Sequence, residues 1–225
     1  MSVKVKVIFY SLYGHTFRMA EAVAASAREV RGAEVELSQV AETLPNEVLA
    51  KMGAVDAKKA FAHVPVADPR KVADADVIIL GTGTRFGSAT AQMQAFLDAT
   101  GPLWSSGALV GKVGGVFTSS ASQHGGQEAT FVSMMTFLFH QGMVVVGVPY
   151  AEQHLLHMDE ITGDTPYGAS TITDARGGAP AFRQRARHRN FPRPPCHSDR
   201  REAGSTLNRH GQHLLCPDAR GTISK

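Results

Sequence analysis

The sequence predicts an α/β protein built on a parallel sheet with helices on both faces. Two observations carry this expectation. Short apolar runs alternate with segments of helical period, and the runs are almost continuously apolar, as strands buried on both faces must be. A third observation concerns ligands: loops rich in glycine and hydroxyls follow three of the runs, and open α/β sheets bind ligands beyond the carboxyl ends of their strands.

The elements follow in order. Residues 3–10 (VKVKVIFY) form the first strand, and 16–31 the first helix, with Met19, Val23 and Val30 sharing a face with Ala20, Ala24 and Ala27. The segment 33–40 (AEVELSQV) alternates apolar and polar residues like an edge strand. Residues 41–72 are too long for a simple connection and suggest an excursion over the sheet edge. Strands are expected at 75–81, 112–119 and 143–150, and helices at 89–99 and 127–141. The last helix supplies Phe131, Met134, Met135 and Leu138 to a core.

Charge divides the chain in two. Residues 175–225 hold ten Arg and one Lys against Asp199, Glu202 and Asp218, a balance of +8. The preceding 174 residues balance at −5. The expected organisation is one domain over 1–174 and an atypical Arg- and Pro-rich tail over 175–225 that forms no packed unit. No secretory signal and no apolar stretch near the ~20 residues of a spanning helix is evident, so a soluble cytoplasmic protein is expected.

The loop Ser11-Leu-Tyr-Gly-His-Thr16 offers two hydroxyls, amides around Gly14 and the amino end of a helix. Those groups suit a phosphate monoester, although most strand–helix loops only turn the chain. No Gly-x4-Gly-Lys-Ser/Thr string exists, and the dinucleotide fingerprint is absent from this turn. The loops 81–87 (GTGTRFG) and 118–127 (TSSASQHGGQ) can bring backbone amides close to a flat heteroaromatic ring. The pair His154 and His157 has no carboxylate or thiol at ligand spacing, so no metal is expected.

Several of these strings together resemble the WrbA-type NAD(P)H:quinone oxidoreductases. They are Ser-x-Tyr-Gly-His after the first strand, Gly-Thr-x-Thr-Arg-Phe-Gly after the third, Leu103-Trp104 with Ser106-Gly-Ala-Leu109, and His124-Gly-Gly-Gln-Glu128. Gly142-Met143 and Thr165-Pro-Tyr-Gly168 complete the pattern, which runs from the first strand to about Thr173. The resemblance implies a flavodoxin-like, doubly wound, five-stranded parallel sheet of order 2-1-3-4-5. It implies non-covalent FMN and a homotetramer with active sites between subunits.

By the same resemblance, Ser11, Leu12, Tyr13, Gly14, His15 and Thr16 would hold the FMN phosphate. Thr84, Arg85, Phe86 and Gly87 would line the flavin ring. Ser119, Ser120, Ala121, Ser122, Gln123 and His124 would form a third loop around it, and His140 would reach it from the next helix. Tyr13 would also help bind the nicotinamide, and Trp104 would cap the quinone site from another subunit. Read without the resemblance, His140 is a core histidine, Trp104 a packing or interface residue, and Arg85 a surface charge.

Two departures stand out: Gly83 lies where the family often has Pro, and the third loop reads ASQH rather than a Gly/Thr run. The implied activity is two-electron reduction of quinones, with NADH or NADPH reducing the FMN and departing before the quinone enters. No side chain is required as a covalent catalyst. A flavodoxin-type electron carrier and an FMN-binding interaction protein are the competing classes. Carriers usually have strongly acidic surfaces, which −5 does not supply, and residues 1–174 contain no nucleic-acid motif.

The tail cannot provide the helix that should follow the fifth strand. Residues 182–197 carry five arginines and three prolines, which destroy any apolar helical stripe. A basic nucleic-acid arm is one reading; a frameshift is the other. Shifted by one base from Ala179, synonymous codons can read R-Q-P-S-G-S-E-L-D-I-A-T-F-Q-G-R-H-V, a coherent helix start that resembles the family's closing helix. Leu207–Asn208 can then encode a stop.

Overall fold

The computed structural model describes residues 2–156 and 163–173. The chain begins with β1 (Val3–Phe9), α1 (His15–Arg28) and β2 (Ala33–Gln39). Two short helices, α2 (Asn46–Lys51) and α3 (Val55–Lys59), and a 3-10 turn over Pro69–Asp74 occupy the excursion. Then come β3 (Val77–Arg85), β4 (Ser88–Ala89), α4 (Ala91–Asp98) and α5 (Gly101–Ser105). β5 (Val113–Ser120), α6 (Gln127–His140), β6 (Val144–Val145), β7 (Gly163–Thr165) and β8 (Gly168–Ile172) complete the described chain.

The sheet follows β2-β1-β3-β5-β8-β7, with β6 paired to β5 and β4 to β3. All pairs among β2, β1, β3, β5 and β8 are parallel. Counted by position this is the expected doubly wound order. β1 shows why both faces are covered: its residues alternate between two cores. Val5, Val7 and Phe9 pack with Phe17, Ala20, Val23 and Ala24 of α1. Ile8 and Tyr10 turn the other way, to Met93, Phe96 and Leu97 of α4 and to Phe131, Met134 and Leu138 of α6. Each large side chain so buried contributes about 1.5–3 kcal/mol.

The fifth strand position departs from the expectation. The run 143–150 pairs only through Val144 and Val145, which lie against Val113 and Gly114. The chain then peels away, and by Val148 its amide donates to the Pro166 carbonyl at 2.9 Å instead of to β5. At Gly147 the chain lies so close to the Pro166 carbonyl oxygen that a Cβ would stand 2.2 Å from it. The rest of the fifth position is filled by β8, whose Ala169–Ile172 pair with Phe117–Ser120. The helices match their expected positions with trimmed ends. α1 stops at Arg28 rather than 31, and α4 is capped by Thr90, whose hydroxyl accepts from the Met93 amide at 3.4 Å.

Among the described residues, no helix is long and apolar enough to cross a membrane. The expected basic tail over 175–225, and the helix it should replace, lie outside the described residues.

Candidate functional site

At the carboxyl ends of β1, β3 and β5 lies a cleft of about 580 Å3, within the range of small-molecule sites. β1 delivers the first wall. Its last ladder bond, from the Tyr10 amide to the Gly81 carbonyl at 2.9 Å, fixes where the chain leaves the sheet. The Ser11 hydroxyl then accepts from the Gly14 amide at 3.1 Å and closes a tight turn. Gly14 holds φ +84 at the start of α1, a conformation that favours glycine.

Ser11, Leu12, Tyr13, His15 and Thr16 line the cleft, whereas Gly14 only shapes the turn. Among the described residues, the amides of Leu12 and Tyr13 meet no acceptor. Such amides beside a helix amino end form an anion-binding concavity. The Tyr13 hydroxyl donates to the Met52 carbonyl at 3.3 Å, which closes the wall formed by Met52 and Gly53.

β3 and β4 form the second loop as a two-residue hairpin, with Arg85 opposite Ser88. Phe86 and Gly87 at its tip have φ +51 and +76, the signs of a type I′ turn. Thr84 and Arg85 line the cleft. Phe86 points wholly into solvent and Gly87 also lies outside the lining. Thr84 donates its hydroxyl to the Gly126 carbonyl at 3.1 Å and contacts the Thr130 hydroxyl, tying the hairpin to α6.

β5 supplies the third loop. Ser119, Ser120, Ala121 and Ser122 line the cleft, while Gln123 and His124 are exposed beyond it. The Thr16 and Ser119 hydroxyls lie 3.2 Å apart and join the first loop to the third. Buried Gln127 anchors this loop from below: its amide nitrogen donates to the Ser120 hydroxyl at 2.8 Å and the Thr171 carbonyl at 3.0 Å. Its amide oxygen accepts from the Ser170 hydroxyl at 3.0 Å. Thr173 adds two bonds to the Ser120 carbonyl, so β8 also braces the cleft.

Beneath the first loop lies a charged cluster. Lys58 pairs with Glu42 at 2.7 Å, and the Tyr10 hydroxyl donates to the same carboxylate at 3.0 Å. Burial would raise the Glu42 pKa, but hydrogen bonds from Lys58, the Leu44 amide and Tyr10, with the Lys58 charge, hold it below the usual carboxylate value. Burial first, and the Glu42 charge second, raise the Tyr10 phenol above the ordinary tyrosine range.

Two further expected site residues, His140 and Trp104, also lie away from the cleft within one chain. A helix following a parallel strand runs back toward the amino edge of the sheet. α6 therefore carries His140 about 20 Å from the loop at its start, toward the residues that pair with Val113. Trp104 lies on α5, which sits by the turn Pro69–Asp74 that leads into β3, at the same far edge, and is 60% exposed. His140, expected to reach the site from this helix, therefore does not line the cleft of its own chain.

The sequence reading missed Tyr10, Met52, Gly53, Gly83, Thr90, Gly125 and Thr173 as lining residues. The length of 41–72 signalled that something crosses the edge, but not which residues face inward. A Cβ at Gly83 would meet nothing closer than 3.8 Å, so the departure from Pro there leaves room rather than a clash. Among the described residues no three His, Cys, Asp or Glu side chains cluster as metal ligands, and His157 lies outside them.

The donor set fits a flavin mononucleotide. Free amides and hydroxyls face one end of the cleft, and glycine-bearing loops flank the remainder. The family model described as "NADPH-dependent FMN reductase" matches residues 3–154. A Geobacter metallireducens protein named NAD(P)H dehydrogenase (quinone) is 62% identical over 174 residues, 77% of this chain and 86% of that protein. A Methanosarcina acetivorans protein of the same name is 59% identical over 179 residues, 78% of this chain and 86% of that one. A flavodoxin, WrbA-like protein from Agrobacterium tumefaciens, of solved structure, shares 30% identity at a TM-score of 0.47 over 64% of this chain and 76% of its own. With its cleft built on the loops that carry the motifs, this chain belongs to the NADPH-dependent FMN reductase family.

Proposed function

We propose that this chain is an FMN-dependent NAD(P)H:quinone oxidoreductase. The carrying observation is the convergence of three loops on one cleft, with the unpartnered Leu12 and Tyr13 amides at its anion-binding end. The names of its relatives, identical at about three residues in five, support the same reading.

The first loop holds the phosphate through amides and the Thr16 hydroxyl, which costs no fixed lysine in the cleft. Thr84, Arg85, Ser119, Ser120, Ala121 and Ser122 position the ring. The Arg85 cation lines the cleft and stabilises negative charge at the ring. When bound, FMN supplies two-electron transfer between a nicotinamide and a quinone; the protein supplies orientation and electrostatics. Tyr13, half-exposed at the rim, faces the entering nicotinamide.

The assembly is a homotetramer in this reading. Trp104, Val110, Phe139 and Val144 are exposed together with His140 around the amino edge of the sheet, which suits contact with a second copy. Trp104 and His140 would then enter a neighbour's site. The protein works in the cytoplasm, and its tail over 175–225 is a frame-shifted reading of a closing helix, as its composition suggests.

The experiment is direct. Purified protein reconstituted with FMN is expected to be yellow, to bleach on adding NADH or NADPH, and to turn over with benzoquinone. Folded protein that does not take up FMN would sink the proposal. Rapid bleaching without faster turnover on benzoquinone would move the chain to the electron carriers.

A further inference from the structure

We infer that Lys58 is a positioning residue for the anion-binding end of the cleft, acting by orienting the Ser11–Leu12 peptide so that the Leu12 amide faces the ligand. The inference rests on the FMN reading above and adds to it a residue outside both the cleft lining and the family motifs.

Phosphate-binding strand–helix loops commonly carry their own lysine. Here no lysine stands between Lys6 and Lys51, and the cation comes from α3 in the excursion. Its ammonium lies 2.7 Å from the Glu42 carboxylate and 3.4 Å from the Ser11 carbonyl oxygen. The side chain is only 18% exposed, and the ammonium sits 5.1 Å from the Tyr10 ring centre and 5.4 Å from that of Phe61.

Glu42 is itself immobilised by the Thr43 and Leu44 amides, the Tyr10 hydroxyl and the Gln92 side chain. Lys58 is therefore held by an anchored carboxylate and two aromatic faces. From this fixed position it also donates to the Ser11 carbonyl.

The consequence follows from peptide geometry. The Ser11–Leu12 peptide is planar and trans, so its carbonyl and the Leu12 N–H point in opposite directions. A carbonyl tied to Lys58, beneath the loop, aims the Leu12 N–H away from Lys58. Leu12 lines the cleft, and its N–H meets no acceptor among the described residues. Lys58 thus does at one remove what a loop lysine does by contact.

This predicts a ligand-selective defect. Lys58→Met keeps the stem over the two rings and removes the charge; Lys58→Arg keeps the charge. FMN and riboflavin, which lacks the phosphate, are titrated against each protein by fluorescence quenching, with thermal melts as a fold check. FMN affinity should fall about ten- to hundred-fold in Lys58→Met, as for loss of a charged hydrogen bond, and riboflavin affinity should not change. Lys58→Arg should recover most of the FMN affinity. Equal losses for both flavins, or none, would overturn the inference.

Lys58→Gln takes the place of Lys58→Met if the latter melts early. Wild-type protein that binds neither flavin overturns the FMN reading instead. The amide resonance of Leu12 then decides the lysine's part: inorganic phosphate should shift it in wild type and not in Lys58→Met. The same shift in both, or none in wild type, removes Lys58 from the role.

Discussion

Gly126 and Gly87 touch because neither carries a side chain. A Cβ on Gly126 would stand 2.9 Å from the Gly87 Cα, and its φ of +92 strains any other residue. Gly126→Ala should therefore cost about 1–3 kcal/mol and separate the second loop from the third, read as a lower urea midpoint and lost FMN retention. Gly83 is the opposite case. Its φ lies outside the left-handed region and a Cβ there has space, so Gly83→Ala should gain about 0.4–1 kcal/mol in the same urea titration.

Tyr10 gives a pH-dependent test at the same scale. Its folded pKa lies above the ordinary 10.0, so its contribution to stability is whole below about pH 10 and is lost as pH rises beyond it. Melting temperatures should fall more steeply above pH 10 in wild type than in Tyr10→Phe. Glu42 works at the other end: held below its ordinary 4.5, it stabilises above that value and ceases to as pH falls through the folded pKa. Residues such as Ser11, Thr16 and Thr84 were legible in sequence because their loops carry local signatures. Met52 and Thr173 were not, because only tertiary return brings them to the cleft.

The elements were legible wherever one run makes one strand. The fifth position defeats that rule, since β6 and β8 share it across a separation of more than twenty residues. Periodicity reports burial but not partnership: of the apolar run 143–150 only Met143 is buried, and only Val144 and Val145 are strand. β8 fits where it does because Gly168 lies against the Val116 carbonyl, where a Cβ would come within 2.3 Å. Gln127 locks this late strand to the third loop. Gln127→Leu keeps the bulk but removes the bonds to the Ser120 and Ser170 hydroxyls and to the Thr171 carbonyl. A loss of about 2–4 kcal/mol is expected by thermal unfolding, with weaker flavin retention.

For the whole molecule, the break in charge at residue 175 is the largest anomaly, and it is one that only sequence exposes. The α1 face of the sheet is covered, among the described residues, by α1 together with Phe61 and Val64. A closing helix would add apolar side chains at about 1.5–3 kcal/mol each. Restoring the alternative frame from about residue 179 should raise soluble yield and FMN retention; equal behaviour of the two proteins would dispose of the frameshift. Sequencing the coding DNA across codons 174–182 reads the same question directly.

The parallel sheet gives the molecule two ends with different chemistry, and its one tryptophan sits at the end away from the cleft. Trp104 is therefore a built-in optical gauge of association. In a dilute, separate chain its indole remains in water whether or not the cleft is loaded. As concentration carries the chains into an assembly that covers that edge, its emission should move to shorter wavelength, and an iodide quencher should lose access to it.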